Sequence, residues 1–124
     1  MSVSHTIVWF EIPVDDFKRA QKFYATLLDG EVSEVEMGED RMGFLPRGEN
    51  GVSGAIILAS GMRPGKDGTL VYLNGGEDLQ QVLDRVEPAG GKIVRSKSPI
   101  SPEHGFFALI EDTEGNVVGL HSMR

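Results

Sequence analysis

Few side chains in this chain of 124 residues could do chemistry. There are three histidines, His5, His104 and His121, one tryptophan, Trp9, and no cysteine. Without cysteine there is no thiolate metal site, disulfide or thiol nucleophile. Trp9 and Glu11 stand two residues apart in Thr6 to Val14, TIVWFEIPV, a run rich in β-branched and aromatic residues that predicts a strand. Alternation sends Ile7, Trp9 and Glu11 to one face and Val8, Phe10 and Ile12 to the other. An indole offers a flat apolar face and one N–H, and a carboxylate beside it can anchor a ligand or act as a general base. The plainer reading of Glu11 is a rim glutamate that meets solvent. His121, at the end of the last predicted strand, can donate, accept or partner Glu11 in acid–base work, or be a surface histidine at a strand end. His104 follows Pro102-Glu103 in a loop that could close over a cavity mouth or lie in solvent. His5 precedes the first strand, and the spacing of the three histidines matches no zinc motif. Phe44, Val71, Leu73, Phe107 and Met42 are candidates to line a cavity or to fill an ordinary core.

The elements that would position these residues come in two similar sets. After Pro13, Asp15 or Asp16 can cap a helix on which Phe17, Ala20, Phe23, Tyr24, Leu27 and Leu28 recur at helical spacing, with Gly30 as its stop. Strands are predicted at Glu31 to Met37, Arg41 to Leu45 and Gly54 to Leu58, and Asn50-Gly51 suits a tight turn. A polar, glycine-rich stretch over residues 60–68 reads as a linker. Thr69 to Asn74 is then a strand. Glu77 and Asp78 lead a helix with Leu79, Val82, Leu83 and Val86 on one face, and Pro88, Gly90 and Gly91 stop it. Lys92 to Ser96, Phe106 to Glu111 and Asn116 to His121 complete the set. The halves overlay at an offset of about 62 residues, with Asp15-Asp16-Phe17 falling on Glu77-Asp78-Leu79. One half is too small to bury its own sheet face, and two can close around each other and leave a concavity for a small molecule.

Composition excludes several function classes. The chain carries 12 basic against 19 acidic residues, a net charge of −7, which repels phosphate backbones, so no nucleic-acid partner is expected. No apolar run is long enough to span a bilayer. The first ten residues have no Lys or Arg ahead of their apolar stretch and no clear cleavage site, so a cytoplasmic location is expected. P-loop, G-x-S-x-G, H-E-x-x-H and dinucleotide-binding patterns are absent from the sequence.

Three segments in order, Trp9 to Gly30, Val71 to Val94 and His104 to Met123, resemble the vicinal oxygen chelate superfamily, which groups glyoxalases, bleomycin-resistance proteins and dioxygenases. The Asp112-Thr113-Glu114-Gly115-Asn116 segment is similar to that family's D-P-x-G-N turn. The resemblance is to the glyoxalase-like branch and covers nearly the whole chain. It implies an α+β fold of two βαβββ modules forming a curved, eight-stranded, two-sheet cavity. A single domain over 1–124 would hold module one at about 5–59, the linker at about 60–68 and module two at about 69–124. It also implies a divalent metal held by His or Glu from the first and last strand of each module. Here those positions fall on Trp9, on Leu70 or Val71, within Gly54 to Leu58, and on Gly119, none of which offers a ligand.

The expectation is therefore a protein with no metal ligands and no cofactor. It would bind a small organic molecule in an apolar cavity walled by Trp9, Phe44, Val71, Leu73 and Phe107, with Glu11 and His121 as its acid–base or anchoring pair. One alternative is a metal-dependent lyase, isomerase or dioxygenase whose ligands have shifted to Glu11 and His121. Another is an interaction protein with a vestigial cavity. A homodimer is the expected assembly.

Overall fold

A computed structural model describes residues 5–124. The chain runs β1 (Glu11–Pro13), α1 (Phe17–Leu28), β2 (Ser33–Met37), β3 (Asp40–Phe44) and β4 (Ala55–Leu58). It then repeats the pattern as β5 (Tyr72–Asn74), α2 (Leu79–Val86), β6 (Lys92–Ser101), β7 (Gly105–Glu111) and β8 (Val117–Ser122). Each half forms a four-stranded mixed sheet, ordered β1-β4-β3-β2 and β5-β8-β7-β6. The first strand of each half pairs in parallel with its last, and the other pairs are antiparallel. This is the α+β, two-module arrangement that the repeat predicts.

Both helices start on an aspartate. The Asp16 carboxylate accepts from the Arg19 N–H at 3.1 Å, and the Asp78 carboxylate accepts from the Gln80 N–H at 3.0 Å, meeting donors that have no partner in a first turn. The spacing of Phe17, Ala20, Phe23, Tyr24 and Leu27 buries one stripe of α1, and Leu79, Val82, Leu83 and Val86 do the same on α2. These stripes meet Ile12 and Ile56 of one sheet and Leu73, Ala108, Ile110 and Leu120 of the other in a single core. Each Leu, Ile or Phe so buried contributes about 1.5–3 kcal/mol. Arg85 of α2 donates to the Leu27 carbonyl at 3.1 Å, closing the end of α1.

Several boundaries differ from expectation, β5 beginning only at Tyr72 among them, and three have a clear cause. Asp29 itself takes the left-handed conformation that ends α1, with φ of 50°, and Gly30 only supplies the next N–H, to the Ala25 carbonyl. β1 is confined to three residues, because only Glu11, Ile12 and Pro13 face partners, on β4. β6 runs on to Ser101, through Pro99, because register shifts between Ile93 and Arg95, Arg95 and Ser98, and Pro99 and Ser101 absorb the misfit. Such bulges destroy the period-two pattern by which a strand is read. No helix among the described residues is long and apolar enough to cross a membrane.

Candidate functional site

Since Ile12, Ile56, Leu73 and Leu120 face the helices, their strand neighbours take the opposite, helix-free face. Glu11 on β1 and Trp9 just ahead of it lie there as alternation predicts. The Trp9 Nε1–H points to the Glu11 carboxylate at 3.4 Å, and the Trp9 ring meets the Phe44 ring edge-on, with centroids 5.2 Å apart. Trp9 and Phe44 are 37% and 38% exposed, so this cluster is open to solvent. Glu11 also borders a cleft of about 280 Å³ shared with Arg63, Asp67, Thr69 and Asn116.

The second half is related to the first by matching hydrogen bonds. The Ala55 N–H reaches the Phe10 carbonyl at 3.0 Å, as the Gly119 N–H reaches Val71 at 2.8 Å. The Val14 N–H reaches Ile57 at 2.9 Å, as the Gly75 N–H reaches His121 at 2.6 Å. Glu11 therefore corresponds to Tyr72, Pro13 to Asn74, Ala55 to Gly119 and Ile57 to His121, in agreement with the strand registers. The offset is thus one less at β5 than at the helices, where Asp16 matches Asp78, because an extra residue enters at Gly75-Gly76. One residue inverts a strand's faces. Tyr72 and Asn74, which the sequence reading overlooked, take the helix-free face. Leu73, expected on the cavity wall, is 6% exposed with its side chain packed in the core, and it still borders the cavity over β5 and β8. Val71 packs half-buried against that core and meets the rim of a cleft of about 630 Å³ beside Ile7, Leu70 and Tyr72.

A cavity of about 690 Å³ lies over β5 and β8, walled by Tyr72, Leu73, Asn74, Gly76, Ile100, His121, Ser122 and Met123. Its size suits a small organic ligand. Tyr72 lies across Gly119, and any Cβ at 119 would overlap its ring. Phe107 is the register partner of His121 and carries the Arg95 guanidinium 5.0 Å from its centroid. His104 stands in the β6–β7 turn, and its backbone carbonyl contacts His121 Nε2 at 2.6 Å. The corresponding surface of the first half is filled. Met42, Ala55 and Ile57 form a small buried cluster there, with Ala59 and Met62 packed on it. Glu11 and His121 are thus brought to the helix-free faces of separate sheets, with different cavities before them. Among the described residues, no three His, Asp or Glu side chains group so as to hold a metal ion.

The β7–β8 turn joins the halves. Glu114, with no exposed side-chain surface, accepts from Arg19 Nε at 2.7 Å and from the N–H groups of Asp15 and Asp16 at 2.9 and 2.7 Å. Burial alone would raise its pKa. The Arg19 guanidinium, the Asp16 N–H, the Thr113 hydroxyl and the Asp15 N–H together overcome that and hold it down at about 2. Beside it, the Tyr24 hydroxyl donates to Asp112 at 2.6 Å, and burial, then the Asp112 charge, pushes that phenol well above its ordinary range. Asn116 donates to Asp112 and to the Pro13 carbonyl.

The model of the Glyoxalase/Bleomycin resistance protein/Dioxygenase superfamily matches residues 6–120. The chain belongs to this superfamily. The fold of this superfamily domain is also that of glyoxalase I from Zea mays, with a TM-score of 0.69 at 18% identity over 93% of this chain and 43% of that one. It is shared with the trypanothione-dependent glyoxalase I of Leishmania major, TM-score 0.68 at 19% identity, covering 97% and 88% of the two chains. A glyoxalase-related enzyme from Fulvimarina pelagi matches at TM-score 0.66 and 17% identity, over 94% and 87%. The domain spans less than half the length of the maize enzyme. No curated protein matches it in sequence.

Proposed function

We propose that this superfamily domain binds a small organic molecule without a metal, in the cavity walled by Tyr72, Asn74 and His121. The observation that supports the reading is the contrast between equivalent surfaces. The first half covers Ile57 with Met62 and Ala59, while the second leaves its counterpart His121 on the wall of a 690 Å³ cavity whose other walls are largely apolar. A few polar groups in an apolar hollow are the usual make-up of a ligand site.

The residues present do not fit the superfamily's divalent ion. The positions to which the resemblance assigns ligands hold an indole at Trp9, an isobutyl group at Leu70 and aliphatic side chains on β4. At Gly119 the Tyr72 ring occupies the space a ligating side chain would need. A divalent ion in a catalytic site calls for about three protein N or O donors. Shifted ligation by Glu11 and His121 would draw on two sheets and supply only two.

The test is a fragment screen on the full chain by thermal shift and ligand-observed NMR, with and without EDTA. Expected are ligands whose stabilisation EDTA leaves unchanged and Tyr72→Ala removes. Trp9, the sole tryptophan, reports separately on the face it shares with Glu11. Stoichiometric metal in the purified protein, lost in Glu11→Ala or His121→Ala, would overturn the proposal.

A further inference from the structure

We infer that the cavity selects a planar aromatic ligand carrying a hydroxyl group, with His121 Nδ1 taking the hydroxyl proton in a hydrogen bond and Asn74 donating to the same oxygen. The inference rests on the binding reading above and names its ligand class. A backbone carbonyl can only accept, so the His121 nitrogen 2.6 Å from the His104 oxygen must carry a proton. A neutral imidazole has one N–H, so Nε2–H leaves Nδ1 with a bare lone pair. The contact is fixed from behind. The His104 N–H is tied to the Ser101 hydroxyl at 3.0 Å and to the Ser101 carbonyl at 3.2 Å. Gly105 turns the chain with φ of 79°, where a Cβ would collide with the backbone at Ser122.

Asn74 is the register partner of His121 on the adjacent parallel strand, so their backbones stand about 5 Å apart and both line the same cavity. Its side-chain oxygen accepts from the Gly76 N–H at 2.8 Å, which commits the oxygen and frees the NH₂ as a donor. The wall therefore offers one acceptor and one donor side by side. A hydroxyl answers both with one atom, donating to Nδ1 and accepting from Asn74. An ether or ketone cannot donate and leaves Nδ1 unmet. A carboxylate places negative charge against a lone pair. The Tyr72 ring spread over Gly119, with Ile100 and Met123, supplies flat apolar surface for the rest of the molecule.

The experiment uses the full chain at pH 8 with three probes of one shape, 2-naphthol, 2-methoxynaphthalene and 2-naphthoate, and affinities from NMR titration. Expected is at least about tenfold tighter binding of 2-naphthol than of either other probe, as for sites built around a hydroxyl. His121→Phe should bring 2-naphthol and its methyl ether to within about threefold. Without ligand, the ¹⁵N resonances that vanish in His121→Phe should be those of the Nε2–H tautomer. Equal binding of naphthol and ether, tighter binding of naphthoate, or an Nδ1–H tautomer would overturn this inference and leave the binding reading standing. No binding of these or of any fragment would overturn both.

Discussion

Replacing Glu114 by Gln should destabilise the domain through charge, and the pH dependence of the loss is what reveals it. The carboxylate is completely covered and held at about 2, against an ordinary glutamate value of 4.5. At about 1.4 kcal/mol for each tenfold in proton affinity, that difference makes the ionised form worth about 3 kcal/mol to the fold. The sign follows from the direction. The folded pKa lies below the unfolded one, so the contribution is complete above about pH 5 and drains away as pH falls through the unfolded and then the folded value. The assay is urea unfolding of wild type and Glu114→Gln followed by circular dichroism from pH 7 to pH 3. The gap should be about 3 kcal/mol at pH 7 and less than half of that at pH 3. The half-buried Glu34 and Asp78 carboxyls, held low chiefly by an Arg41 hydrogen bond and by the Gln80 N–H respectively, also titrate on acidification, but in both proteins alike, so they cancel in the difference. A gap of constant size across this range would refute the reasoning, since an amide that merely packs badly is indifferent to protons.

Tyr24→Phe should cost about 1–3 kcal/mol by chemical unfolding, because Asp112, 4% exposed, loses its hydroxyl partner while staying buried. Fragment affinity at the cavity should be unchanged. Gly119→Ala should weaken 2-naphthol binding at least fivefold by NMR titration while the circular dichroism spectrum is retained, since the new methyl must push the Tyr72 ring off its seat. Sedimentation equilibrium should return a mass twice the chain's 13.5 kDa, as expected for a homodimer, with Trp9→Ser and Phe44→Ser together shifting it toward the monomer.

Most of the fold was legible because the signals were local. The aspartate caps, the helical stripes and the repeat itself each depend on residues within a few positions of one another, and the strand alternation at Trp9, Phe10, Glu11 and Ile12 put the right side chains on each face. The site was legible only in part. His121 was marked as a histidine at the end of the last predicted strand. Tyr72 and Asn74 were missed because the extra residue between β5 and α2 leaves the sequence match open between Leu70 and Val71, and the cavity wall was assigned to Val71 and Leu73, the register of the helix offset, whereas the β5–β8 pairing selects the other. The pattern YLN is too short for its own alternation to expose the error. The length difference at Gly75-Gly76 is visible in the sequence and allows either register, but it does not choose between them. The His121 contact with His104 could not be read at all. It depends on a carbonyl, which every residue has, delivered by a turn at the end of a strand whose bulges erase its pattern.

The two halves also explain why chemistry would settle in only one of them. Related surfaces begin with equal geometry, and the route of the chain beyond each last strand separates them. In the first half, β4 leads into residues 59–62, and Ala59 and Met62 fold back over Ile57 and Met42. In the second, the backbone leaves β8 toward the start of α2, where the Arg124 carbonyl accepts from the Leu79 N–H at 2.8 Å, and His121 stays on the cavity wall. Ile57→His would place an imidazole at the position equivalent to His121, yet it would lie under a methionine with no cavity before it and no turn carbonyl to fix its tautomer. A buried polar group without a partner costs about 1–3 kcal/mol. That substitution should therefore destabilise the domain and add no binding. If it did create a second site for 2-naphthol, the differing routes past β4 and β8 would not be what makes the second half the binding half.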